Sequence, residues 1–393
     1  MKQPQNKPMP FCYGLLRGVG AGLLRLFFSY RRTGDPVPKE GPLLVVASHQ
    51  GMLDFMTVAV ALPGRLVRFI ATRRFFRSRA LRPFLRVDGA IPKTQFYPDP
   101  ACIATVLRTL RAGGTVGLFP AGQTSTCGLP ARVAPVVARL VKKAGAPVCA
   151  VRQHGGFYAL PRFRTAKPCF GPVESEVRML LTAEQLRTMS EEEIYRVLVD
   201  AIDFDEAAWQ ARTGARYRGD HRAVGLPQAL WKCPRCGAEF ALRGEKSVLR
   251  CGRCGAAAAL GTDMRFSEGF PATVTDWYRW QEEALRQQLK APEFALESRA
   301  EALSWDGARF LSHGTGLLRL DRTEITWTGT WDGEAAAFSA PHKDLAGLTV
   351  ASGAFMELYA PGRGLVRLHP KDPSVLGKWK QTQEYLHRIA EEA

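Results

Sequence analysis

Four cysteines constrain this chain more tightly than any other feature. Cys233-Pro234-Arg235-Cys236 and Cys251-Gly252-Arg253-Cys254 are separated by 14 residues, and a glycine follows each pair, Gly237 and Gly255. Two such knuckles bring four thiolates within tetrahedral reach of one ion, and four cysteines leave no coordination position open for catalysis. The spacing predicts a closed structural zinc site, favoured over free thiols or a redox pair; iron in the same thiolate cage is the alternative. The other five of the nine cysteines are scattered. An odd count with this spacing fits metal binding in a reducing compartment better than a disulfide framework.

Around that module the chain changes character several times. Residues 1–10 are polar. Residues 11–32 read as an amphipathic helix, with Cys12, Leu15, Leu16, Val19, Leu23, Leu26 and Tyr30 inside one arc of about 100°. Arg17, Arg25, Arg31 and Arg32 fall opposite. Such a helix can pack on its own domain, lie in a membrane interface, or do both. No uncharged apolar run reaches 18 residues, so no transmembrane helix is expected.

From residue 43 short apolar strands alternate with helical stretches. Strands are expected at 43–47, 67–71, 116–119 and 148–151, and helices at 55–62, 102–112 and 133–144. An acidic helical tail is expected from Ala183 to Trp209. That alternation indicates an α/β domain with helices packed on a sheet. Thr273 to Lys290 reads as a helical connector. After about residue 295, short strands at 317–320, 324–328, 336–339, 346–350, 355–359 and 365–368 are separated by Asp332-Gly333, Ser352-Gly353 and Pro361-Gly362. A closing helix over 373–391 completes a small antiparallel barrel or sandwich. The expected organisation is an interfacial helix (1–32), an α/β domain (33–225), a zinc ribbon (226–262), a helical connector (263–294) and an antiparallel β-barrel capped by a C-terminal helix (295–393).

The chemistry gathers after the first of these strands. Leu43-Leu44-Val45-Val46-Ala47-Ser48-His49-Gln50-Gly51-Met52-Leu53-Asp54 sets a histidine just past a strand and an aspartate five positions on. On one regular helix these positions stand about 140° apart and cannot meet. They can meet if His49 lies in the turn and Asp54 in the first turn of the next helix. An imidazole can then take a proton from a hydroxyl while the carboxylate fixes its tautomer. A histidine in such a place is more often a structural residue, so the pair alone decides little.

Three further blocks follow in order: Arg86-Val87-Asp88-Gly89-Ala90-Ile91-Pro92-Lys93, Phe119-Pro120-Ala121-Gly122-Gln123-Thr124-Ser125, and Gly145-Ala146-Pro147-Val148. With His49-x4-Asp54, this series over residues 40–155 resembles the lysophospholipid acyltransferase family. The resemblance implies that His49 is the base and Asp54 its orienting partner. It implies acyl-CoA or acyl carrier protein as donor and a lysophospholipid hydroxyl, of the 1-acylglycerol-3-phosphate kind, as acceptor. The acceptor would contact Lys93, Phe119, Pro120, Gly122 and Gln123. The chain departs from the family at Ala121, where a glutamate is usual, and at Gln123-Thr124, where a threonine and an arginine are usual. In the second block Gln95 stands near the usual arginine, leaving Lys93 as the nearest cation. A bidentate clamp for phosphate is thereby replaced by a point charge.

The formal net charge is +17, which favours anionic partners. Residues 65–86 hold Arg65, Arg68, Arg73, Arg74, Arg77, Arg79, Arg82 and Arg86, no acidic residue, and interleaved Phe69, Phe75, Phe76 and Phe84. A solvated face, nucleic acid or an anionic bilayer could account for them. Beside the acyltransferase blocks an anionic membrane surface is the favoured partner, at about 1 kcal/mol per nearby cation, and nucleic acid is disfavoured. The expected location is peripheral, on the cytoplasmic face of the membrane. The C-terminal strands and helix are similar in pattern to a pleckstrin-homology-like domain. A non-catalytic membrane-surface or nucleic-acid-binding adaptor on the same scaffold is the alternative.

Overall fold

A computed structural model describes residues 7–94, 98–164, 167–306, 309–345, 348–351 and 353–392. The chain divides into two compact units, residues 1–219 and 220–393.

The first unit begins with helix α1 (Pro10–Phe28) and strand β1 (Arg31–Gly34). Then come β2 (Leu43–Ala47), α2 (Asp54–Ala61), β3 (Val67–Thr72), α3 (Arg82–Val87), β4 (Ile91–Lys93), α4 (Pro100–Arg111) and β5 (Thr115–Leu118). It continues with α5 (Val136–Ala144), β6 (Val148–His154), the single turn α6 (Gly156–Ala159), β7 (Glu174–Leu181), α7 (Ala183–Thr188), α8 (Glu191–Ile202) and α9 (Glu206–Thr213). One seven-stranded sheet runs in the order β1-β7-β6-β2-β5-β3-β4. Only β6 and β7 pair antiparallel. Parallel strands covered on both faces need apolar side chains on both. Central β2 meets this need: Leu44 and Val46 join a core with residues of α4, α5 and α8, while Leu43, Val45 and Ala47 join another with Val58 of α2 and Tyr13 of α1.

The N-terminal segment departs from expectation in two ways. The helix ends at Phe28, and Ser29 turns left-handed at φ +44°. Arg31 and Arg32, expected to be helical, instead start β1, which pairs parallel with β7 in the register Arg31↔Glu174 and Thr33↔Glu176. Opposite charges on adjacent strands favour that pairing. The buried stripe is Tyr13, Gly20, Leu24 and Phe28. Much of the expected apolar arc faces out: Leu15, Val19, Leu23 and Leu26 are exposed, with Phe11 and Phe27 beside them. By length and composition α1 could cross a membrane. Its buried stripe and a 2.9 Å bond from Met9 N–H to the Val87 carbonyl attach it to its own unit.

The acidic tail is three helices rather than one. Capping boxes of Thr182 with Gln185 and of Ser190 with Glu193 open α7 and α8, and the Asp205 side chain, accepting Ala208 N–H, opens α9. The arginine-rich segment is also divided in role. Arg65 is buried and donates to the Gly41 carbonyl at 2.6 Å; Arg68 donates to the Gly89 carbonyl at 2.8 Å and Thr109 Oγ1 at 2.9 Å. These two brace backbone. Arg73 pairs with Asp99 at 3.2 Å. Arg77, Arg79, Arg82 and Arg86 are exposed, alongside exposed Leu81 and Phe84.

The second unit opens with an antiparallel sheet of β8 (Leu242–Glu245), β9 (Val248–Cys251) and β10 (Ala257–Ala259), followed by α10 (Val274–Gln288). Seven antiparallel strands come next: β11 (Leu296–Trp305), β12 (Phe310–Leu320), β13 (Glu324–Trp331), β14 (Glu334–Pro341), β15 (Thr349–Ala351), β16 (Phe355–Ala360) and β17 (Gly364–Pro370). Helix α11 (Leu376–Glu392) closes the chain. The strand order is β14-β13-β12-β11-β17-β16-β15. Strand β11 carries no sequence expectation because its inward residues include small Ala300 and Ala302, which give weak apolar periodicity. Ala346 and Ser352 lie outside the described residues. Trp231, from beside the first cysteine pair, and Leu285, from the connector, share one core with Leu318, Ile325, Trp327 and Trp379. The segments expected as ribbon, connector and β domain are thus built around common side chains.

Candidate active site and cysteine cluster

Strand β2 ends at Ala47, and the six residues Ser48 to Leu53 form a turn that leads into α2. Asp54 is the first residue of that helix and is buried. Its Oδ2 lies 2.7 Å from His49 Nδ1 and accepts the backbone N–H groups of Gln50 at 2.5 Å and Gly51 at 2.9 Å. One carboxylate oxygen therefore gathers three donors, folding the loop round itself. Gly51 has to be glycine: a Cβ there would stand 2.5 Å from the Leu160 carbonyl oxygen. With Nδ1 held by Asp54, Nε2 is the ring nitrogen available for proton abstraction. The His49 side chain keeps 23% of its surface accessible, against 2% for Asp54.

The third block reaches the same place from β5. Phe119 follows that strand and stacks on the His49 ring, with centroids 4.2 Å apart and planes 22° from parallel. Phe119-Pro120-Ala121-Gly122 closes a tight turn through a 2.9 Å bond from Gly122 N–H to the Phe119 carbonyl. Gln123 lies just past it, and Ser125 N–H donates to the His49 carbonyl at 2.9 Å. Lys93 ends β4, where its Nζ donates to the Thr94 carbonyl at 3.2 Å. Gln95 lies outside the described residues. His49, Lys93 and Phe119 thus all sit at C-terminal ends of parallel strands, the edge where open α/β sheets place their ligands. The structure brings Phe119 onto His49 directly.

A buried polar network stands behind the loop, and the sequence offers no sign of it. Gln153 N–H donates to Ser48 Oγ at 2.8 Å, and its amide donates to the Ser48 carbonyl at 2.9 Å. Gln50 Nε2 donates to Glu206 Oε1 at 2.8 Å across 156 residues of chain, and Gln50 Oε1 accepts Gly156 N–H at 3.0 Å. Glu206 is fully buried. Burial raises its carboxyl above the ordinary range, opposed by His154, the Gly155 N–H and Gln50. Gln50 reads in sequence as a spacer, and Glu206 as one more acid in a solvated tail. Only the meeting of β6, α9 and the β2–α2 turn reveals either.

In the second unit, the Sγ atoms of Cys233, Cys236, Cys251 and Cys254 all lie within 4.8 Å of one another. The Cys233–Cys254 separation is 3.9 Å and the Cys236–Cys251 separation 3.8 Å. A zinc–sulfur bond of about 2.3 Å in a tetrahedron requires sulfurs about 3.8 Å apart. The donor set therefore fits zinc. The two knuckles share one geometry: the backbone carbonyls of Cys233 and Cys251 each accept an N–H from the glycine four residues on, Gly237 at 2.9 Å and Gly255 at 3.0 Å. Both glycines are left-handed, at φ +71° and +76°.

Residues 30–153 match the family model described as Acyltransferase. A curated relative, the 1-acyl-sn-glycerol-3-phosphate acyltransferase of Bacillus subtilis (strain 168), is 25% identical over 110 residues. That match covers 28% of this chain, and the chain spans 55% of the relative's length. Among solved structures, the 1-acyl-sn-glycerophosphate acyltransferase PlsC of Thermotoga maritima aligns over 49% of this chain and 77% of that one, with 19% identity and a TM-score of 0.43. The segment that builds the His49–Asp54 pair and carries Phe119 thus lies within the stretch that matches the Acyltransferase family model.

Proposed function

We propose that this protein is an O-acyltransferase that moves a fatty acyl group from acyl-CoA or acyl carrier protein to a lysophospholipid hydroxyl. The acceptor is of the 1-acylglycerol-3-phosphate kind, as the name of the Bacillus subtilis relative suggests. The observation that carries the reading is the 2.7 Å His49–Asp54 contact, with the carboxylate buried and the imidazole accessible. In the reaction the acceptor hydroxyl gives its proton to His49 Nε2 as its oxygen attacks the thioester carbonyl. The carbon–sulfur bond breaks, and the departing thiolate takes the proton back. Asp54 holds the tautomer and stabilises the imidazolium that forms. Lys93 supplies a point charge for an acceptor phosphate, and the Phe119–Gln123 turn lines the acceptor side.

The reading places the protein peripherally on the cytoplasmic face of an anionic membrane. Support comes from the outward apolar residues of α1 and from the exposed Leu81, Phe84 and surrounding arginines of the 77–86 segment. One zinc ion held by Cys233, Cys236, Cys251 and Cys254 would stabilise the second unit. Seven antiparallel strands followed by α11 support reading residues 295–393 as a pleckstrin-homology-like module. Ala121, in place of the family's glutamate, favours the second reading, a non-catalytic adaptor. Acyl transfer to a panel of acidic and neutral lysolipids, wild type against His49→Ala, separates the two. The enzyme reading expects transfer lost in the variant; equal turnover by both proteins would remove it.

A further inference from the structure

We propose that Glu206 is a positioning residue for the His49–Asp54 turn, acting through the side chain of Gln50. The inference rests on the acyltransferase reading above and lies outside the family-matched segment, at the start of α9.

The turn is held from two sides. From within, Asp54 Oδ2 gathers His49 Nδ1 and the N–H groups of Gln50 and Gly51. From behind, the fully buried Gln50 amide is fixed at both ends. Its oxygen accepts Gly156 N–H at 3.0 Å, and its nitrogen donates to Glu206 Oε1 at 2.8 Å and to the Gln153 carbonyl. Glu206 is itself held by Gly155 N–H on Oε2 at 2.6 Å and by His154 Nδ1 on Oε1 at 3.0 Å. His154 stacks on Trp209, one turn along α9, with planes 4° from parallel. A second path leaves the same residue. Glu206 N–H donates to the Gly128 carbonyl at 3.0 Å, Gly128 N–H donates to Ser125 Oγ at 2.9 Å, and Ser125 N–H reaches the His49 carbonyl. One buried acid thus ties the α9 start to the catalytic turn by side chain and by backbone.

Burying a carboxylate is costly unless every oxygen is bonded, and a fold alone could fill this space with apolar groups. What the acid supplies is direction. An oxygen that only accepts lets the Gln50 amide adopt one orientation, because turning it over would set its NH2 group against Gly156 N–H. Gln50 is the residue next to His49, so its orientation sets where the imidazole stands over Phe119. A misplacement of about 1 Å in a reacting group costs on the order of 100-fold in rate.

The test compares Glu206→Gln, Gln50→Glu and the double exchange Gln50→Glu/Glu206→Gln in the full chain. Glu206→Gln keeps the size but must set its own NH2 group either against the Gln50 NH2 group or against the Gly155 N–H. The exchange restores one carboxylate against one amide, and Glu at 50 still accepts from Gly156, but the bond to the Gln153 carbonyl is given up. With acyl-CoA and a lysolipid, Glu206→Gln should lower kcat about 10- to 100-fold, with the acceptor KM changed by less than about 3-fold. The exchange should recover part of that loss. Carbethoxylation of His49 by diethylpyrocarbonate, mapped by peptide mass, should accelerate several-fold in Glu206→Gln and return toward wild type in the exchange. This second reading works even if the wild type transfers no acyl group, a result that would sink the functional reading and not this one. Wild-type kcat or an unchanged His49 modification rate in a folded Glu206→Gln protein would overturn the proposal. So would a loss that merely follows lowered thermal stability and is not recovered by the exchange.

Discussion

Each unit of this protein contains a histidine bonded to an aspartate and stacked on an aromatic ring. In the first unit His49 Nδ1 stands 2.7 Å from Asp54, and the ring lies 4.2 Å from that of Phe119. In the second, His313 Nδ1 stands 2.9 Å from both oxygens of Asp332, and its ring lies 4.2 Å from that of Trp331. His313 Nε2 even meets a hydroxyl, Ser304 Oγ, at 2.7 Å. By side-chain distances alone the second set is closer to a nucleophile–base–acid arrangement. Their surroundings separate them. The Asp54 side chain is 2% accessible and takes two backbone N–H groups, whereas that of Asp332 is 65% accessible. Water screens an exposed carboxylate, so its hold on an imidazole is worth little. Asp54 begins a helix at the C-terminal edge of a parallel sheet; Asp332 occupies the left-handed corner of a tight Asp-Gly hairpin between β13 and β14. A short histidine–aspartate contact gains chemical meaning from its burial and from the edge of the sheet on which it stands.

The largest effect should come from removing one histidine at a time. His49→Ala should lower acyl transfer about 10²- to 10⁴-fold, and His313→Ala should leave it within about 2-fold. Labelling of Ser304 by a fluorophosphonate probe would break the contrast, since it would make the second set a working nucleophile.

Next in size is the metal. Structural zinc sites of this kind contribute about 10–16 kcal/mol to the folded form of small domains. Elemental analysis should find one zinc per chain. Cys251→Ser, or a strong chelator, should abolish the thermal transition of residues 220–393 while the His49 site keeps its diethylpyrocarbonate reactivity. Folded, zinc-free second units would remove the assignment.

A smaller effect concerns the outward face of α1. Deleting residues 1–32 is a poor probe, because it also removes the Tyr13–Leu24–Phe28 stripe and part of β1. Leu15→Ser/Leu26→Ser leaves that stripe intact. It should weaken sedimentation with anionic vesicles about 10-fold or more, in proportion to the apolar area withdrawn from the interface. Raising salt from about 0.1 M to about 1 M shortens the Debye length from about 10 to about 3 Å and should release the part due to Arg77, Arg79, Arg82 and Arg86. Equal binding to neutral vesicles would remove the role of these arginines.

The smallest effect tests what burial does to a carboxyl. Burial pushes Asp88 up from 3.8 to about 7, against the pull of the Ala90 and Phe69 N–H groups and Arg68. A raised carboxyl favours the folded form while protonated. Its contribution is complete below pH 3.8 and is lost as pH rises through about 7. Chemical denaturation of the wild type should therefore show stability falling across that window, and Asp88→Asn should flatten the fall. An unchanged slope in the variant would place the titration elsewhere.

Local pattern settled much of this protein before any fold was known. The continuous apolar run of β2, the Cys-x-x-Cys spacing and the His-x4-Asp interval are short-range features, so the sequence alone located the parallel sheet, the four sulfurs and the His49–Asp54 pair. The same reading carried α1 past Phe28, because periodicity cannot see a left-handed Ser29 or a partner strand at Glu174. It left open whether the apolar arc of α1 packs inward or faces out, because hydrophobicity states that a face avoids water and not what covers it. It counted eight arginines as surface, where two brace backbone. What only the tertiary structure decided is everything that depends on residues far apart in the chain: the Phe119 stack on His49, the shared core of residues 220–393, and Glu206 behind Gln50. Propensity and spacing act over a few residues, whereas burial and hydrogen bonding are set by whatever the folded chain brings alongside.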